Sequence, residues 1–176
     1  LHKPFYISLA DEEAVQCLNL DPALFEVEEQ VDLKDYLYSG EELRKLEGKK
    51  FVKKRNHLNG FKRTYEGRYE YRRLCCSDRQ FMERWRQHKE EVGAMELSLD
   101  YEVAGIHDIL KNCSSLYVRM AGVYIDGQLE AFTIGSLNVR ENMAVIHIEK
   151  ANPEIRGLYQ FINQQFLINE FPELNW

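Results

Sequence analysis

The chain has 176 residues, 44% of them hydrophobic and 30% charged, with a formal net charge of −6. That length and apolar content suffice for one packed domain, or one domain and part of another, and exclude a largely disordered chain. No apolar run approaches the roughly 20 residues of a membrane-spanning helix. The opening Leu1-His-Lys-Pro-Phe-Tyr6 lacks the regions of a signal peptide, so a cytoplasmic protein is expected. Cys17, Cys75, Cys76 and Cys113 show no CxxC spacing, and no histidine stands at zinc-ligand spacing from them. Reduced thiols and no metal site are expected.

In chain order, Pro4 to Ala10 reads as a strand leading into a helix that starts at Asp11-Glu12-Glu13. Short strands are expected at Phe25-Glu-Val-Glu28 and Asp35-Tyr-Leu-Tyr38. Ser39, with Glu42 three residues on, forms a capping box for a short helix ending near Leu46. From Lys49 to Tyr65, Phe51, Leu58, Phe61 and Tyr65 make one apolar stripe, while the other faces are crowded with Lys and Arg. This basic amphipathic helix lies in the stretch from Arg44 to Arg73, where twelve Lys or Arg face three Glu inside an otherwise acidic chain.

A strand at Tyr69 to Leu74 follows, then helices from Ser77 to about Val92 and from about Leu99 to Cys113. Tyr117 to Ile125 and Gln128 to Leu137 flank Asp126-Gly127, the dipeptide of a two-residue hairpin turn. That hairpin pairs Val123 with Glu130, Ala121 with Phe132 and Arg119 with Ile134 on one face, leaving Tyr124, Met120, Leu129 and Thr133 on the other. Met143 to Lys150 adds a third strand, Pro153 opens a helix to about Phe171, and Glu173 to Trp176 starts a further strand. The expected fold is α/β (α+β): a mixed sheet with an antiparallel meander and helices on both faces.

This order is that of the GNAT-type N-acyltransferases. Lys53-Lys54-Arg55-Asn56-His57 and the run from His147 through Glu149, Arg156 and Gly157 to Gln160 carry a more specific likeness. They resemble an uncharacterised bacterial family of stand-alone domains similar to the C-terminal domain of phosphatidylglycerol lysyltransferase. The resemblance runs from about Phe25 to the end. It implies two tandem GNAT-like halves, with residues 1–66 a remnant of the first plus the basic helix, and residues 67–176 the second, truncated before its last elements. It also implies aminoacyl-tRNA as donor and a lipid or peptide amine or hydroxyl as acceptor, with no cofactor.

Coenzyme A enzymes carry Gln/Arg-x-x-Gly-x-Gly/Ala before the helix after the meander, where backbone N–H groups meet pyrophosphate. Here Asn152-Pro-Glu-Ile-Arg-Gly157 lacks that glycine pattern, and Pro153 removes a donor. Coenzyme A is possible but disfavoured, and an acetyl-CoA-type N-acetyltransferase stays as an alternative.

The candidate donor-phosphate residues are Lys49, Lys50, Lys53, Lys54, Arg55, Asn56 and His57 of the basic helix, with Lys150 and Arg156. A charge run also serves as a plain solvated face, and a basic amphipathic helix also suits an anionic membrane surface. A non-catalytic RNA- or lipid-binding module is therefore the other class of function. Glu149 and His147, two apart on a strand, are expected on one side of it as proton acceptors, with Ile146 and Ile148 on the other. Structural polar residues near a sheet end give the same pattern.

Overall fold

The computed structural model of the chain describes residues 5–8, 10–75 and 97–176, the side chains of 97–100 excepted. By its internal contacts the chain divides into two units, Leu1–Tyr36 and Leu37–Trp176. The first contains helix α1 (Glu12–Leu18), whose N-terminus Asp11 caps by accepting from the Ala14 N–H at 2.6 Å. A 3-10 turn spans Val31–Leu33. None of its described residues is buried, and the strands expected near 4–10, 25–28 and 35–38 do not form among the described residues. Alternation supplies a face for a strand, but a strand also needs a neighbour to take its backbone hydrogen bonds.

The second unit begins with α2 (Gly40–Lys45), capped as expected by the Ser39 hydroxyl, which accepts from the Glu42 N–H at 3.3 Å. A 3-10 turn at Lys49–Phe51 runs into the basic helix α3 (Val52–Thr64). Then come β1 (Tyr69–Arg73), α4 (Leu97–Asn112), β2 (Val118–Ile125), β3 (Gln128–Asn138), β4 (Met143–Ala151) and α5 (Leu158–Glu170). The helix expected from Ser77 to Val92 lies outside the described residues.

The four strands form one sheet in the order β1-β2-β3-β4, and every described neighbour pair is antiparallel, with β2, β3 and β4 forming the expected meander. Past α5, residues 173–176 form no strand, although the Trp176 carbonyl accepts from the Ala144 N–H of β4 at 2.9 Å. The fold is thus α+β, a four-stranded antiparallel sheet with helices, and is consistent with a GNAT-like architecture.

Asp126 and Gly127 both adopt positive φ (51° and 82°), so the hairpin turn forms as the dipeptide predicts. The register then departs from expectation. Tyr124 pairs with Leu129, but Val123 pairs with Ala131, Ala121 with Thr133 and Arg119 with Gly135. Glu130 is an extra residue, a β-bulge that shifts every later pair by one and exchanges the faces of Phe132, Thr133 and Ile134.

Phe132 and Ile134 consequently join Met120 against Ile106 and Leu110 of α4. On the opposite face, Val123, Ile125, Ala131 and Ala151 meet Leu158, Phe161 and Ile162 of α5 together with Leu58 and Phe61 of α3. The helix α3 therefore packs with the sheet-bearing unit. Cys17 is an exposed free thiol, whereas Cys113 is disulfide-bonded, a pairing that sequence spacing does not show.

Candidate functional site

The apolar stripe of α3 is buried as its spacing requires: Phe51, Leu58 and Phe61 are 8%, 3% and 1% exposed. Burying that stripe turns the lysines outward. The helix is pinned to the start of α5 by Gly157, which sits at φ 89° as the α5 N-cap. A Cβ at Gly157 would lie 2.2 Å from the His57 carbonyl oxygen, so only glycine permits this approach. The α3 backbone occupies the space beside Gly157.

This junction carries Arg156 to α3, where its Nη2 donates to His57 Nε2 at 3.1 Å. Guanidinium can only donate, so His57 Nε2 is the acceptor. Beside the pair is an open depression of about 430 Å³ lined by Lys49, Lys50, Val52, Lys53, Asn56, His57 and Arg156. The lining contains no carboxylate.

Several of the predicted phosphate ligands have protein partners of their own. Lys50, at the depression, is ion-paired with Glu42 at 2.6 Å. Lys54 stacks over the Tyr38 ring at 5.3 Å. Arg55 donates to the carbonyls of Leu46 and Gly48, closing the end of α2. Lys150 points to the other face of the sheet, where it pairs with Glu102 of α4 at 2.8 Å. Of the nine residues named from sequence, Lys49, Lys50, Lys53, Asn56, His57 and Arg156 come together, and Lys54, Arg55 and Lys150 do not line the depression.

The carboxylate and imidazole of β4 are separated. A second bulge pairs Ile134 with Ile148 and Gly135 with Ile146, leaving His147 as the extra residue. Ile146 consequently packs on the α5 side with Phe166 and Phe171, and Ile148 on the α4 side with Ile106 and Leu110. The expected same-side pairing of His147 and Glu149 is thus corrected. His147 is exposed and its Nε2 is 2.8 Å from the hydroxyl of Ser136, two residues along β3 from Ile134. Glu149 faces α5.

There the Asn163 side-chain amide donates to both Glu149 oxygens, at 3.4 and 3.2 Å. Across the strand pair lies Thr133, fully buried, its hydroxyl without a hydrogen-bond partner among the described residues. Burial pushes the Glu149 carboxyl up to about 7, against the opposing pulls of the Asn163 hydrogen bond and the Lys54 charge. A carboxyl poised there exchanges a proton readily at neutral pH. Asn163 escapes sequence reading, because an Asn flanking the apolar stripe of a helix gives no sign of what it will meet.

Among the described residues no helix is long and apolar enough to cross a membrane, and no cluster of His, Cys, Asp and Glu could hold a metal ion. The family model described as phosphatidylglycerol lysyltransferase, C-terminal, matches residues 2–175. A crystal structure of a conserved protein of unknown function from Bacteroides thetaiotaomicron is similar, with a TM-score of 0.75 and 29% sequence identity. The match covers 92% of this chain and 55% of that one, so the chain spans about half the length of that solved protein. Among curated proteins there is no match.

Proposed function

The chain belongs to the phosphatidylglycerol lysyltransferase C-terminal family, and on that premise we propose that it is a GNAT-like acyltransferase of the aminoacyl type. Its donor is aminoacyl-tRNA and its acceptor an amine or hydroxyl of a lipid or peptide. In this reading residues 67–176 are the second of two GNAT-like halves and work in the cytoplasm. The observation that carries the reading is Glu149: a half-buried carboxyl, held by Asn163 and raised to about 7, in the same unit as a depression lined by cations.

The acceptor nitrogen or oxygen attacks the ester carbonyl of the donor, a new acyl bond forms, and the ester C–O bond breaks. The acceptor's proton passes to Glu149, and the departing 3′-oxygen takes up a proton. Lys49, Lys53 and Arg156 hold donor phosphates by charge, with Asn56 and His57 as hydrogen-bonding neighbours. No covalent enzyme intermediate is required.

The test is transfer of a labelled amino acid from aminoacyl-tRNA, measured beside salt-titrated tRNA binding. Glu149→Gln is expected to lower turnover by roughly 100-fold or more while tRNA binding persists, and Lys49→Glu with Lys53→Glu to abolish the binding. Full turnover in Glu149→Gln removes the base. Salt-sensitive tRNA binding by a protein that transfers to no acceptor replaces the enzyme with a binding module. Thermal stabilisation by coenzyme A replaces the donor, and binding to anionic liposomes in preference to tRNA moves the cations to a membrane role.

A further inference from the structure

Glu149 is a carboxylate withdrawn from bulk water, with no ion pair among the described residues. Among the described residues, the groups that bear on it come from three elements. Asn163 of α5 donates to both oxygens, Thr133 of β3 stands opposite across the strand pair, and Lys54 of α3 is the charged group that bears on it. Had an Arg or Lys occupied position 163, a direct ion pair would hold the carboxylate ionised far below neutrality, and it would be a poor proton acceptor. Had a Leu stood there, only the Lys54 charge would oppose burial, and more of the group would stay protonated near neutral pH.

A neutral amide does something between these. Its N–H donates to an ionised oxygen more strongly than to a protonated one, so it favours the charged form without adding a charge. Its donation to both oxygens also fixes the plane of the carboxylate against rotation about the side chain. We propose that Asn163 is a positioning residue for Glu149, holding both carboxylate oxygens on the α5 face of β4 in an orientation suited to accepting a proton. The functional weight of this assignment rests on the proposed role of Glu149 as base.

Nuclear magnetic resonance on glutamate labelled at the side-chain carboxyl carbon reads Glu149 directly, its signal identified by its loss in Glu149→Gln. The midpoint is expected near 7 and is expected to move to higher pH in Asn163→Leu, where proton affinity rises by about threefold or more. In Asn163→Asp two carboxyls share one site and titrate as a pair, with the upper step above the wild-type midpoint. The acid limb of the pH profile of kcat/KM should move with the carboxyl midpoint, with the donor KM unchanged. A contact with no bearing on the reaction would move the midpoint and leave the kcat/KM limb in place.

The wild-type protein offers a readout that needs no variant at position 163. The Asn163 side-chain amide signal should shift as Glu149 titrates and hold still in Glu149→Gln. An unmoved midpoint in folded Asn163→Leu, or an amide signal indifferent to Glu149, overturns the assignment. Its failure is distinguishable from failure of the functional reading. An inactive Glu149→Gln with no effect at Asn163 keeps the base and removes its positioner, whereas a fully active Glu149→Gln with the expected shifts does the reverse.

Discussion

The cations of α3 and the carboxylate of β4 are two charged regions of one unit, held in opposite ways. Lys49, Lys53 and Arg156 line an open depression in contact with solvent, where water and salt screen every interaction they make. Glu149 is tucked against α5 with an amide for company, and burial dominates its behaviour. The contrast teaches which variable reads which region. Ionic strength governs what the cations do, because their effect on a polyanion works through displaced counterions. Proton concentration governs Glu149, because its charge state is unsettled near neutrality.

Both regions depend on the α3–α5 junction, so the largest expected effect is to break them together. In Gly157→Ala the new methyl carbon would lie 2.2 Å from the His57 carbonyl oxygen while the backbone stays at a φ of 89°. Strain and overlap together should cost about 4 kcal/mol, measured by urea unfolding. Anion binding and the Glu149 midpoint should both change in this variant. A stability loss that left both intact would mean that the junction does not organise them.

Glu149→Gln sharpens the contrast from the carboxylate side. The folded carboxyl titrates near 7, above its ordinary 4.5, so folding favours the protonated form. The wild type is therefore most stable below about pH 4.5, loses stability as pH rises toward 7, and stays at the lower value beyond. Glutamine cannot ionise and escapes that loss. Glu149→Gln should be more stable than wild type by about 3 kcal/mol at pH 8, with the difference shrinking towards pH 4. Urea midpoints at pH 4, 6 and 8 check it, and a difference independent of pH would place the carboxylate in water.

Much of this organisation is legible in the residues. The extent of α3, the hairpin and its turn, and β4 follow from period and turn chemistry, because those signals are local. Glu149 stands out as an acid on a strand of apolar residues. What escapes is what one added residue does: Glu130 and His147 each insert into a strand without disturbing the alternation around them, yet each bulge moves side chains to the opposite face. The face of Phe132 and the separation of His147 from Glu149 both turn on that. Arg55 and Lys150 looked like Lys53 in the sequence, and only the carbonyls of α2 and the acid of α4 distinguish them.

The smallest expected effect separates two neighbouring lysines of the depression. Lys53→Ala should reduce the steepness of salt dependence for a phosphate-bearing ligand by about one, the signature of one lost phosphate contact. Lys50 lines the same depression, but its ammonium is 2.6 Å from Glu42 in a pair whose side chains are 63% and 46% exposed. Such a pair is worth roughly 0–1 kcal/mol, enough to divert the lysine from a weak anion and too little to keep it from a strong one. Lys50→Ala should therefore flatten the salt dependence less than Lys53→Ala does, and Glu42→Gln should steepen it by releasing Lys50. Salt titrations of the three variants with one oligonucleotide order these effects. Equal slopes for Lys50→Ala and Lys53→Ala would show that the ion pair yields entirely to the ligand, making exposure rather than pairing the property that defines the cationic region.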